Sequence, residues 1–134
     1  MIEFDIDIPT RAGAVPTFVC HPERHGPYPP VLFLMDAPGI RDELRDMVRR
    51  LASVGYLVLL PNLYYRAGRD TLYGPDVLTP GSDDYVRMRS VRTKMTIPPV
   101  MEDVADLIGW LDGRPECRPG PVGVHGYCMS GPYA

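Results

Sequence analysis

Val122-Gly123-Val124-His125-Gly126-Tyr127-Cys128-Met129-Ser130-Gly131 is the stretch on which the fold turns. A short apolar strand, Pro121 to His125, runs directly into a small-x-nucleophile-x-small pattern, with Gly126 two residues before Cys128 and Ser130 two after. That placement matches a nucleophile elbow, a strained strand-to-helix turn that lifts its middle side chain above a sheet. Small flanks are needed because the tight turn brings backbone against backbone. A cysteine there also gains from the N-terminus of the helix that follows, which favours the thiolate. The blander reading of Cys128 is a small buried hydrophobe in a βα turn. Ser130 has Pro132 at its own +2 position, a poor fit to the rule, and reads as a packing residue.

Upstream of the elbow the chain alternates between two periods. Ile2, Phe4, Ile6 and Ile8 alternate with acids, the signature of a half-buried strand ending at Pro9, and a second strand from Val15 to Cys20 makes a hairpin with it. Val31 to Met35 and Tyr56 to Leu60 are continuously apolar, as strands buried on both faces of a parallel sheet are. Leu44, Met47, Val48 and Leu51 fall at i, i+3, i+4, i+7 with Arg41, Glu43, Asp46, Arg49 and Arg50 around them, an amphipathic helix ended near Gly55. A further helix-period run, Val100, Val104, Leu107, Ile108 and Leu111, starts after Pro98-Pro99 with Glu102 and Asp103 in its first turns. Strands alternating with helices imply an α/β fold with a parallel sheet and right-handed crossovers. The 37 residues from Asn62 to Pro98 are longer than an ordinary connection, and within them Ser82 is placed to cap a short helix carrying Tyr85, Met88, Val91 and Met95.

Composition bounds the function. The chain has 134 residues, 45% hydrophobic and 23% charged, enough for one domain with a real core and no need of staples. A net charge of -3 argues against nucleic acid as a partner, since a phosphate-backbone binder needs a basic face. No apolar run approaches the roughly 20 residues of a membrane span. The acidic start Met1-Ile2-Glu3-Phe4-Asp5 is unlike a signal peptide, so the expectation is a soluble cytoplasmic protein. Cys20, Cys117 and Cys128 are odd in number and lack metal spacing, which argues against a disulfide framework and gives no metal site.

The Gly126-to-Gly131 stretch, the apolar strand ending in Asp36, and Pro61-Asn62-Leu63-Tyr64 after the next strand together resemble the dienelactone hydrolase family. The resemblance runs over nearly the whole chain. It implies an α/β-hydrolase-type, mostly parallel sheet with flanking helices and an N-terminal β-hairpin. It also implies hydrolysis of esters or lactones by a Cys-His-Asp triad without a cofactor, through an acyl-enzyme on Cys128. One oxyanion-hole N–H would come from Met129. The other comes from the loop after the third strand, Asp36-Ala37-Pro38-Gly39, where the resemblance selects Ala37. Asp36 stands where the family places a glutamate that holds the resting thiol; a turn or cap aspartate is the equal alternative. Arg87 and Arg89, with Arg92 and Lys94 near them, are either a solvated basic face or the source of an arginine for a substrate carboxylate.

His21, His25 and His125 are the histidines of the chain, and none stands where the family supplies its base, on a loop after the last strand. His125, three residues before Cys128, reads as a half-buried structural histidine. Residues 1–134 are therefore expected to be the N-terminal part of a single α/β-hydrolase domain, ending after the nucleophile elbow, inactive in turnover alone and prone to aggregate through an exposed strand edge. The competing expectation is a short non-catalytic module that binds a small ligand or partner. Oligomeric state and substrate identity are left open by the sequence.

Overall fold

The computed structural model describes residues 1–68 and 73–134. Part of the Asn62-to-Pro98 excursion thus lies outside the described residues. Five strands form one mixed sheet in the order β1-β2-β4-β3-β5, comprising β1 (Ile2–Thr10), β2 (Gly13–His21), β3 (Pro30–Leu34), β4 (Leu57–Pro61) and β5 (Gly123–Gly126). The expected hairpin is β1-β2, paired antiparallel with Thr10 opposite Gly13. β2 also meets β4 antiparallel, while β3 is parallel to β4 on one side and to β5 on the other. This is the α/β-hydrolase-type arrangement expected, with its parallel part confined to β4-β3-β5.

The central strands explain why their sequences carry no alternation. Leu32, Phe33, Leu34, Val58, Leu59 and Leu60 are all fully buried, because β3 and β4 have neighbours on both edges and cover on both faces. Helix α1 (Asp42–Ser53) packs Leu44, Val48 and Ala52 against β2 and β4. Helix α3 (Ile97–Leu111) begins with Pro98 and Pro99 in its first turn, where a missing N–H costs nothing, and buries Val100, Val104, Leu107 and Leu111. Between them lies α2 (Asp83–Arg92), capped by Ser82, whose hydroxyl accepts from Tyr85 N–H at 3.1 Å. No described helix is long and apolar enough to cross a membrane.

β1 departs in part from its alternating pattern. Ile8 is fully buried, yet Ile2 and Phe4 are 42% and 36% exposed. The reason is where α3 sits: it is tied to the hairpin turn by Arg11, whose guanidinium and backbone N–H both bond Asp106, so it covers the Ile8 end and not the Ile2 end. On the other strand positions, Glu3 and Asp5 reach Arg49 and Arg45 of α1.

Candidate active site

Parallel neighbours β3 and β5 end level with each other, Leu34 opposite Gly126, so the segments that follow them share one end of the sheet. That is where open α/β sheets hold ligands. Tyr127 N–H continues the ladder to Leu34 O at 3.4 Å, and the chain then turns sharply. Cys128 has φ 51, a left-handed backbone that costs an L-residue of this kind about 1–2 kcal/mol. The strain expected of an elbow is thus present at its middle residue. The chain leaves Cys128 through a 3-10 turn, Cys128–Tyr133, with Ser130 N–H donating to Tyr127 O at 2.9 Å.

The small-residue rule has a direct cause here. A Cβ on Gly126 would lie 2.2 Å from Ser130 O, far inside contact distance. Ser130 itself is fully buried, and its hydroxyl donates to Met35 O, so it clamps the elbow onto the end of β3. It packs, as its sequence context indicates. Cys128 is exposed, while Cys20 and Cys117 are buried thiols, both pushed up in pKa by desolvation.

The segment after β3 is a turn closed by Gly39 N–H donating to Asp36 O at 3.1 Å, with φ 83 at Gly39. That bond commits the Gly39 N–H. Among the described residues, the N–H groups of Ala37 and Met129 have no acceptor. Ala37 and Met129 are 4% and 7% exposed, and one side chain touches both: the Tyr64 hydroxyl donates to Ala37 O at 2.7 Å and lies 3.3 Å from Met129 Sδ.

Asp36 is not bonded to Cys128. Both its oxygens are taken by the Arg41 guanidinium at 2.7 and 2.8 Å, and Arg41 also donates to Gly39 O at 2.9 Å. Arg41 reads in sequence as part of the polar face of α1, but it sits at the helix N-cap and turns back over the loop. The signal available was its spacing of five from Asp36. Tyr64 lay within the Pro61-to-Tyr64 motif, but nothing in one sequence says that its hydroxyl spans two loops.

The α2 arginines lie on a separate element. Arg87 pairs with Asp84 at 3.1 Å and stands 5.0 Å over the Tyr73 ring, and Arg89 reaches the Tyr85 hydroxyl at 3.0 Å. Both are exposed. His125 sits between Phe33 and Tyr127, at 4.8 and 5.1 Å between ring centroids, with its Nε2 buried and unpaired and its pKa lowered by desolvation. His21 is buried against Tyr28. A cavity of about 280 Å³ is bounded by Leu63, Tyr64, Val91, Met95 and Val100, and so shares Tyr64 with the candidate site; others lie apart from it, one of about 320 Å³ bounded by Ile6, Phe18, Ile40 and Arg45 and one of about 180 Å³ by Leu111, Cys117 and Val122.

A family model described as the dienelactone hydrolase family matches residues 15–134. The chain belongs to the dienelactone hydrolase family. This dienelactone hydrolase family chain is 28% identical over 131 residues to a Methylorubrum extorquens protein named "Putative carboxymethylenebutenolidase", a match covering 98% of the chain and 42% of that relative. An Escherichia coli protein of the same name is 37% identical over 62 residues, 46% of the chain and 23% of the relative. The crystal structure of a Klebsiella pneumoniae protein named "Putative Dienelactone Hydrolase" superposes with a TM-score of 0.78 at 24% identity, covering 99% of the chain and 54% of that structure, which fixes the fold. The chain therefore spans about half the length of the relatives it matches or less.

Proposed function

We propose that Cys128 is the nucleophile of a carboxylic ester or lactone hydrolase, and that residues 1–134 are the N-terminal part of its single α/β-hydrolase domain. The observation that carries this is the exposed Cys128 held at φ 51, with Gly126 too close to Ser130 O to be any larger residue. The Cys128 thiolate attacks the carbonyl carbon of a small-molecule substrate. The carbonyl oxygen becomes an oxyanion, then the C–O bond breaks and the alkoxide or enolate leaves. Met129 and Ala37 supply the two N–H donors, the groups that have no other acceptor. Asp36 tunes the charge around the thiol, and Arg87 or Arg89 takes a substrate carboxylate.

By the family resemblance, the base that activates water for deacylation is supplied from beyond these residues. The reaction needs no cofactor, and the protein works in the cytoplasm. The decisive experiment is Cys128→Ala against an activated ester. Loss of the covalent acyl adduct and of burst release supports the assignment; an adduct at Cys20 or Cys117, or release unchanged in Cys128→Ala, defeats it.

A further inference from the structure

An oxyanion hole works only if two N–H groups reach one point at about 2.7–3.1 Å. Here they come from loops separated by some ninety residues of chain, and neither loop is regular secondary structure of any length. Something must fix their spacing. The Ala37 N–H is oriented by its own peptide. That unit is trans, and its other end, Asp36 O, accepts from Gly39 N–H, so the Ala37 N–H points away from the turn. The Ala37 carbonyl is then held by the Tyr64 hydroxyl at 2.7 Å, and Met129 Sδ lies 3.3 Å from that hydroxyl oxygen. Ser130 also ties the elbow to the end of β3, through Met35 O, whereas the Tyr64 hydroxyl reaches Ala37 itself and the Met129 side chain.

We propose that Tyr64 is a positioning residue of the oxyanion hole, its hydroxyl setting the distance between the loop that carries the Ala37 N–H and the loop that carries the Met129 N–H. This rests on the reading of Cys128 as nucleophile. Tyr64 is itself well fixed. It is 1% exposed in the 3-10 turn Leu63–Ala67 after β4, with its N–H bonded to Asn62 Oδ1 at 3.1 Å and its ring against Gly39 and Tyr73. A phenol buried that deeply is costly unless bonded, so its hydroxyl has a strong reason to stay where it is. Burial also pushes its pKa up, so it remains a donor in alkaline assays that ionise a thiol.

The test compares two reactions of Cys128 in the native full-length protein. Acylation by p-nitrophenyl acetate joins Sγ to the carbonyl carbon and passes through an oxyanion; p-nitrophenolate leaves with the bonding electron pair and the thiol proton goes to buffer. Alkylation by iodoacetamide expels iodide and builds no oxyanion. In Tyr64→Phe, acylation should fall roughly 10- to 100-fold, a loosened hole costing less than the 10²–10³ of a deleted donor, while alkylation stays within about twofold of wild type. Equal acylation in both proteins, or equal loss in both reactions, overturns the proposal. If Tyr64→Phe does not fold, Met129→Leu removes the sulfur contact alone. It should slow acylation several-fold and spare alkylation, and wild-type acylation there overturns the proposal too. Failure of the nucleophile reading is seen separately, as wild-type protein that acylates no more than Cys128→Ala.

Discussion

Arg41 grips both oxygens of Asp36, at 2.7 and 2.8 Å, and through Gly39 O it also holds the turn that Asp36 begins. The carboxylate just past β3 is therefore half of an ion pair, and its charge is largely cancelled locally. With Asp36 in its proposed role beside the thiol, removing either partner leaves the other's charge to act on Cys128, with opposite sign. Arg41→Ala leaves an anion that disfavours the thiolate, so the pH profile of Cys128 alkylation should move to higher pH. Asp36→Ala leaves a cation and should move it to lower pH. Iodoacetamide rates between about pH 6 and 10 check this, and two shifts in the same direction would contradict it.

The three thiols should label in a fixed order. Cys128 is exposed, whereas burial both hides Cys20 and Cys117 and raises their pKa values. Native protein treated briefly with iodoacetamide and mapped by peptide mass should carry label at Cys128 first, by tenfold or more over the others. In denaturant the three should converge.

The parts of this architecture that follow from local pattern were legible in the sequence. The unbroken apolar runs of β3 and β4 report burial on two faces, and Pro98-Pro99 and Ser82 mark helix starts because their missing donor or added acceptor acts within a few residues. Cys128, Gly126 and Ser130 were readable for the same reason, being one tight turn. What was not legible depends on contacts between distant segments. Ile2 and Phe4 carry the same alternation as Ile8, and only the tether from Arg11 to Asp106 decides which of them α3 covers. The bridge from Tyr64 to Ala37 and Met129 joins three separate loops, and no periodicity encodes it.

That tether gives a pH dependence with a definite sign. Arg11 holds the Asp106 carboxyl down at about 2, below the unfolded value near 3.9. A lowered folded pKa means the pair stabilises the fold at all pH values above the unfolded one, and its contribution is lost as pH falls through the folded one. The melting temperature of wild type should thus exceed that of Asp106→Asn by a constant margin above about pH 5, and the gap should close between about pH 4 and 2. A gap that widens on acidification is the opposite of what this ion pair predicts.

Two positions of the elbow should link stability and reactivity in different ways. Cys128 occupies φ 51, where glycine is unstrained and a cysteine pays for its Cβ, so Cys128→Gly should raise stability by about 1 kcal/mol while abolishing acylation. Gly126→Ala should do the reverse to the fold. Its new methyl would meet Ser130 O at 2.2 Å, and that atom is backbone, which cannot rotate aside. Relief requires the 3-10 turn to move off β5, which breaks the Ser130 hydroxyl bond to Met35 O and carries Met129 away from Tyr64. The expected loss is about 2 kcal/mol or more, together with acylation that falls further than alkylation, because the thiol stays exposed while its oxyanion donor is displaced. Urea denaturation of the two variants beside wild type measures the stability part, and the paired Cys128 rates measure the chemical part. A Gly126→Ala protein as stable and as quickly acylated as wild type would show that the turn does not have the close approach on which the nucleophile assignment stands.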